Sequence, residues 1–208
     1  MLTGKAMSGA ENYASRHLSN NDYYSKGETI TGQWMGRGAQ LLGLEGEVTM
    51  RQFDAVRQGH DPYTGEFLRQ RQSADRFVTN ELTGELEQRS SARNLYDFTV
   101  SAPKGVSVMS LYDPRLIQAH RTAVAETAAE MEGLAEAYVR KDGAQGTRKT
   151  SNLVIAAYDH DTSRELDPQI HTHLVAGNLT FDAVEGRWKA LAAFHIYQHR
   201  AYLTEVYR

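Results

Sequence analysis

Cysteine is missing from this chain of 208 residues, so neither a disulfide nor a cysteine-ligated zinc site can be part of it. That agrees with a reducing compartment. No apolar run approaches the roughly 20 residues of a membrane-spanning helix. Met1-Leu2-Thr3-Gly4-Lys5 also lacks the apolar core of a secretion signal. A cytoplasmic protein with no membrane association is therefore expected. An excess of positive charge is missing too. The formal net charge is -3, which excludes bulk, nonspecific coating of duplex nucleic acid but leaves room for a local basic groove. No internal repeat or low-complexity tract occurs. What is present is ordinary for a globular protein: 40% hydrophobic and 24% charged residues, enough for one large domain or two small ones.

Charge is unevenly placed. Glu126, Glu130, Glu132 and Glu136 gather on one predicted helix, while Arg140, Lys141, Arg148 and Lys149 surround a single Asp142. Along the chain, residues 1–5 read as a short strand and Ser8 to Leu18 as a helix, followed by a turn at Asn20-Asn21-Asp22. Thr49 is positioned to cap a helix from Met50 to Gln58. Residues 59–93 are polar, with Gly59, Pro62, Gly65 and Gly84, and read as a loop-rich excursion. Asn94 to Ser101 alternates as a strand does: Leu95, Asp97, Thr99 and Ser101 share one face, and Tyr96, Phe98 and Val100 the other. Ser101-Ala102-Pro103-Lys104 reads as a helix start with Ser101 as cap. The longest helix is expected from about Arg115 to Tyr138, with Leu116, His120, Val124, Ala128, Met131, Leu134 and Tyr138 as its core stripe. Strands are expected near 136–141, 151–158 and 170–180, a turn at Glu185-Gly186, and helix over 192–208. The pattern is α+β: an antiparallel sheet with helices on one face and a polar opposite face.

Three histidines stand out against this background. Ile170 to Val175 reads as a strand, so His171 and His173 share a face. His160 closes the apolar run Leu153–Tyr158 and can meet them across a long hairpin. An H-x-H pair alone is weak evidence, because a lone strand histidine usually has a structural place. The third imidazole at hairpin range makes a metal site the stronger reading. Imidazole suits several transition metals, so the ligand type does not name the ion.

Other residue types could join such a site. A tyrosine can act as a nucleophile once its proton is removed, although its ordinary pKa near 10 demands help from a base or cation. Tyr13 could serve in this way or simply pack in its helix. Tyr23 and Tyr24 could be surface aromatics or stacking platforms. Asp97 has the chemistry of a base or an orienting acceptor. A divalent ion on three imidazoles would keep positions open for a phosphoryl oxygen. The helix start at Pro103-Lys104 offers backbone N–H groups and a cation to an anion.

These residues, in this order, resemble the relaxase domain of conjugative plasmid transfer proteins of the F-plasmid type, within the wider HUH endonuclease superfamily. The resemblance starts with Asn12-Tyr13 and Asp22-Tyr23-Tyr24. It continues through Gln33-Trp34, Gly36-Arg37-Gly38-Ala39 and Leu42-Gly43-Leu44, then Tyr96-Asp97-Phe98-Thr99-Val100-Ser101-Ala102-Pro103-Lys104 and Val106-Ser107. It ends with Asn152-Leu153-Val154, His160-Asp161-Thr162-Ser163-Arg164, Asp167-Pro168-Gln169 and Ile170-His171-Thr172-His173.

The resemblance implies nicking of one DNA strand at a plasmid origin of transfer through a 5′-phosphotyrosine intermediate. It implies His160, His171 and His173 as ligands of a divalent metal, Mg2+ or Mn2+ in function with Zn2+ or Ni2+ as substitutes. Asp97 would orient or activate the tyrosine and contact the histidines, with Arg164 and Lys104 as DNA contacts. Tyr13 fits best as nucleophile and Tyr23 or Tyr24 as the second tyrosine, although the usual first tyrosine pair is broken here as Tyr13-Ala14. The implied partners are hairpin and single-stranded origin DNA, accessory relaxosome proteins and a coupling protein, acting on a monomer in the bacterial cytoplasm. The family domain extends past position 208, so residues 1–208 are expected to be a C-terminally shortened relaxase domain. No GxxxxGK[ST] phosphate loop occurs, so no helicase activity is expected of this segment. Three other readings stay open: a rolling-circle replication initiator of the same chemistry, an origin-DNA-binding module without cleavage, and a three-histidine metalloenzyme acting on small molecules.

Overall fold

The computed structural model describes residues 1–8, 31–69, 76–79, 86–89, 93–141, 144–163, 165 and 167–208. Its strands are β1 (Leu2–Ser8), β2 (Gln33–Met35), β3 (Arg76–Thr79), β4 (Leu86–Arg89), β5 (Arg93–Ser101), β6 (Glu136–Lys141), β7 (Ala144–Lys149), β8 (Ile155–Thr162), β9 (Pro168–Gly177), β10 (Thr180–Asp182) and β11 (Arg187–Lys189). Its helices are α1 (Arg37–Leu41), α2 (Met50–Gln58), α3 (Lys104–Met109), α4 (Arg115–Gly133), α5 (Phe194–Gln198) and α6 (Arg200–Tyr207). The expected α+β architecture is present. Five strands form an antiparallel sheet in the order β1-β5-β9-β8-β2, and β3–β4, β6–β7 and β10–β11 are separate antiparallel pairs. The β3–β4 ribbon lies inside the polar stretch 59–93.

The strict alternation of β5 sorts side chains to two sides. Tyr96, Phe98 and Val100 point to one face, where they join Ile155, Leu174 and Ala176 beneath Val124, Ala128 and Met131 of α4 and Ile196 and Leu203 of the C-terminal helices. Leu95 points to the other face, in a second core with Trp34, Phe53, Val56, Ala156, Tyr158 and Val175. α1 and α2 therefore cover one end of the second face, and its other end carries the polar side chains.

Thr49 caps α2 as expected: it accepts from the Gln52 N–H while the Gln52 side chain accepts from the Thr49 N–H, a reciprocal capping box. At Gly36-Arg37-Gly38 the chain runs against the Leu153 backbone. A Cβ on Gly38 would lie 2.6 Å from Leu153 C and O, and Gly36 adopts φ 93°, a conformation that favours glycine. Glu132 Oε1 accepts from both Arg37 N and Leu153 N, each at 2.7 Å, and ties α4 to both segments.

Among the boundaries that differ from the expectation, three have a clear physical cause. α4 stops at Gly133, because from Glu136 the chain pairs with 144–149 and Tyr138 becomes a strand residue. β8 starts at Ile155 and not near 151, because the Asn152 side chain bonds Thr150 O, Phe181 O and Phe181 N and holds a non-strand turn in place. Ser101 ends β5, bonded to Met1 O, and does not cap; Pro103 precedes a six-residue helix that has no side-chain cap.

Candidate metal centre

β8 and β9 carry the site. Their antiparallel register sets His160 opposite His171 and Tyr158 opposite His173, and β5 sets Thr99 opposite His173. Opposed residues share a face, so the three imidazoles converge. One ring nitrogen from each lies within 4.8 Å of the others. The His160 and His171 rings stack, with centroids 4.9 Å apart and 14° between planes, and His173 stands edge-on to both at 5.2 Å. All three are partly buried, which limits water access without closing the site.

Neighbours decide which nitrogens point inward. His173 Nδ1 lies 2.9 and 3.0 Å from the two Asp97 carboxylate oxygens and 3.2 Å from Thr99 Oγ1. His171 Nδ1 lies 2.9 Å from the Gln169 carbonyl. A carboxylate and a carbonyl can only accept, so both Nδ1 atoms carry the proton and each Nε2 is the ring nitrogen that bears the lone pair a cation needs. Carboxylate–histidine pairing of this kind is how metal-binding histidines are usually oriented. Asp97 is thus brought to the site in contact with His173. Thr99 was placed on this face by alternation alone, and its bond to His173 adds it to the site.

Of the other expected site residues, Lys104 lies among the described ones. Lys104 pairs with Asp167 at 3.3 Å, at the end of the β8–β9 hairpin where Ser163 Oγ accepts from Glu165 N and Asp167 N. Tyr13, Tyr23, Tyr24 and Arg164 lie outside the described residues, as do the Asn20 turn and all of the helix expected over 8–18 except Ser8, which ends β1. Tyr158 is a described tyrosine on the site face, but it is 2% exposed and burial pushes its hydroxyl pKa up, so it serves the core. A cleft of about 370 Å³ opens away from the histidines between the β6–β7 and β10–β11 hairpins, beside Tyr138, Arg140, Arg187 and Trp188. Two of its four cations, Arg187 and Lys189, are held by Glu185. No described helix is long and apolar enough to cross a membrane.

A sheet bearing an oriented three-imidazole cluster defines an α+β protein equipped for a transition-metal or similar divalent cation. Comparison with known proteins is more specific. The family model described as TrwC relaxase matches residues 7–208, and the chain belongs to that family. It is 35% identical over 195 residues, 93% of its length, to a multifunctional conjugation protein TraI of Escherichia coli, and 36% identical over 182 residues to a second TraI of that species. It spans 10% and 9% of those two relatives. Among solved structures, the conjugative relaxase TrwC in complex with oriT DNA in a copper-bound form is similar over 100% of this chain and 67% of that one, with TM-score 0.79 and 33% identity. TrwC complexed with a 27-mer DNA comprising the recognition hairpin and the cleavage site is similar with TM-score 0.76 and 33% identity, over 100% of this chain and 65% of that one.

Proposed function

We propose that this chain is the nicking unit of a conjugative relaxase: it cleaves one DNA strand at a plasmid origin of transfer and keeps the 5′ end on a tyrosine. The observation that carries this reading is the oriented imidazole cluster with Asp97 in a chain of the relaxase family. Structures of its relative TrwC hold metal and origin DNA. The donor chemistry here fits a divalent ion, with His160, His171 and His173 as its ligands. Such an ion supplies Lewis-acid stabilisation of the charge that builds on the scissile phosphate. Three imidazoles favour Mn2+, Zn2+ or Ni2+ by affinity, while Mg2+ prefers oxygen donors and its own waters. The ion used in the cell follows availability, and Mg2+ or Mn2+ is the proposal.

The remaining steps belong to side chains. The Tyr13 hydroxyl loses its proton and attacks phosphorus. A new O–P bond forms, the bond to the 3′ oxygen breaks, and that oxygen takes a proton to become a free 3′ hydroxyl. Tyr23 or Tyr24 is the second tyrosine. Asp97 sets both oxygens within 3.0 Å of His173 Nδ1, which supports an orienting role. Lys104 and Arg164 are the proposed phosphate contacts. Hairpin and single-stranded origin DNA is the partner, with accessory relaxosome proteins and a coupling protein, around a monomer in the bacterial cytoplasm. Residues 1–208 belong to the relaxase domain, with 59–93 as its excursion.

A labelled single strand spanning the origin tests the proposal. Cleavage that needs added Mn2+ or Mg2+, and that disappears in Tyr13→Phe, is expected. Binding without cleavage in every metal would leave a DNA-binding module, and a covalent adduct formed by Tyr13→Phe would transfer the nucleophile to Tyr23 or Tyr24.

A further inference from the structure

Behind the imidazoles, on the sheet face turned away from them, runs a set of polar side chains that the reaction does not use. Thr172 lies between His171 and His173 on β9, and alternation sends its side chain to the opposite face, where it is fully buried. Its register partner on β8 is Asp159, the residue before His160. The Thr172 hydroxyl donates to Asp159 Oδ1 at 2.7 Å, and Arg121 Nε donates to Asp159 Oδ2 at 2.9 Å. His120, beside Arg121 on α4, sets Nε2 2.9 Å from Thr172 Oγ1 and Nδ1 2.7 Å from the Tyr207 hydroxyl on α6. His120 falls on the apolar stripe of α4, which in sequence reads as core alone.

Donor and acceptor chemistry gives this chain of bonds one direction. The Asp159 carboxylate can only accept. Thr172 has a single hydroxyl proton and gives it to Asp159, so its oxygen receives the Nε2–H of His120. A neutral imidazole protonated at Nε2 has a bare Nδ1, which accepts the Tyr207 proton. Burial pushes His120 down to about 4 and Tyr207 up to about 12, so at neutral pH each holds the proton the chain requires. A reversed chain would need Asp159 to donate.

We infer that Thr172, His120 and Tyr207 are positioning residues for the metal centre, holding the strand of His160 in register with the strand of His171 and His173 from the hidden side of the sheet. The pair Asp159↔Thr172 is flanked in the ladder by His160↔His171 and Tyr158↔His173, so the bond between its side chains acts between the ligand pairs. Arg121 fixes the outer end and α6 the inner end. A change at Tyr207 therefore reaches the ligands without touching them. This inference rests on the metal reading given above.

Calorimetric titration of the whole chain with Mn2+, well below each variant's unfolding midpoint, tests it. Thr172→Val keeps the volume and the strand preference but has no hydroxyl. It is expected to bind Mn2+ about tenfold or more weakly, while Thr172→Ser stays within about twofold of the parent, as for other partners of metal ligands. Tyr207→Phe is expected to fall between them. If Thr172→Val does not fold, Tyr207→Phe decides: weaker Mn2+ binding supports the role and parental binding overturns it. Parental affinity in both variants, even with lower midpoints, overturns it as well, since a purely structural role lowers the midpoint alone. Absence of Mn2+ binding by the parent itself removes the metal reading, and this inference with it.

Discussion

The two ends of one sheet face make opposite use of the same strands. Toward Gly177, Leu95, Ala156, Tyr158 and Val175 pack beneath Phe53 and Val56 and leave water no place. A Cβ on Gly177 would meet Val56 Cγ1 at 2.8 Å, so α2 sits as close as glycine allows. A few residues along, Asp97, Thr99, His160, His171 and His173 occupy the same face and stay partly open. The backbone pairing is continuous from the packed end through His160↔His171 and shifts register only beyond it, between His160 and Thr162. Side-chain type alone separates a packed anchor from a reactive surface, and the anchor is what lets the polar end hold its geometry. Sites built on rigid strands keep the tight tolerances that metal and phosphate chemistry need.

The sharpest way to break this division is at the polar end. His171→Ala is expected to abolish Mn2+ binding in calorimetry and DNA nicking with it, while the unfolding midpoint of the metal-free protein moves little. Retained binding would mean that the ligands lie elsewhere. At the packed end the effects should reverse. Phe53→Ala removes a ring that is 1% exposed and is expected to cost ~3–5 kcal/mol in urea unfolding through the cavity it leaves. Mn2+ affinity in the remaining folded protein should be nearly parental, and a joint loss of both would show that the two ends are not separable. Between these lies Asp97→Asn. It leaves His173 in place but weakens the acceptor at Nδ1, and Mn2+ affinity should fall by about ten- to a hundredfold, the usual cost of losing such a partner.

A smaller effect comes from the reverse side of the same strands. His120 is held down to about 4 by burial, against an ordinary 6.5. The unfolded chain therefore binds a proton that the folded chain refuses across that window. Stability is expected to decline as pH falls from about 6.5 to about 4 and then to level off with respect to this group. In His120→Gln the slope of midpoint against pH over that interval should be shallower, as read by thermal unfolding across the window. An unchanged slope would assign the acid sensitivity to other groups.

Much of the site was legible in the sequence because its signals are local. Period-two alternation placed Asp97 and Thr99 on one face and His171 with His173 on one face, and a hairpin was enough to add His160. The cap at Thr49 was legible for the same reason. What escaped was set by contacts far apart in the chain. The end of α4 depends on pairing with 144–149, and the late start of β8 depends on Asn152 reaching Phe181. His120 matched the apolar stripe in spacing, so periodicity filed it with the core. Its bonds to Thr172 and Tyr207 span 52 and 87 positions, beyond the reach of any local pattern.

The most direct test of the central claim is mass spectrometry of the covalent product formed with a single-stranded origin oligonucleotide whose scissile phosphate carries a sulfur leaving group. The expected result is one adduct on the Tyr13 peptide, formed with Mn2+ and lost in His171→Ala. An adduct that forms equally well after chelation, and is undiminished when His160, His171 and His173 are all replaced by alanine, would contradict a nicking centre built on the three histidines.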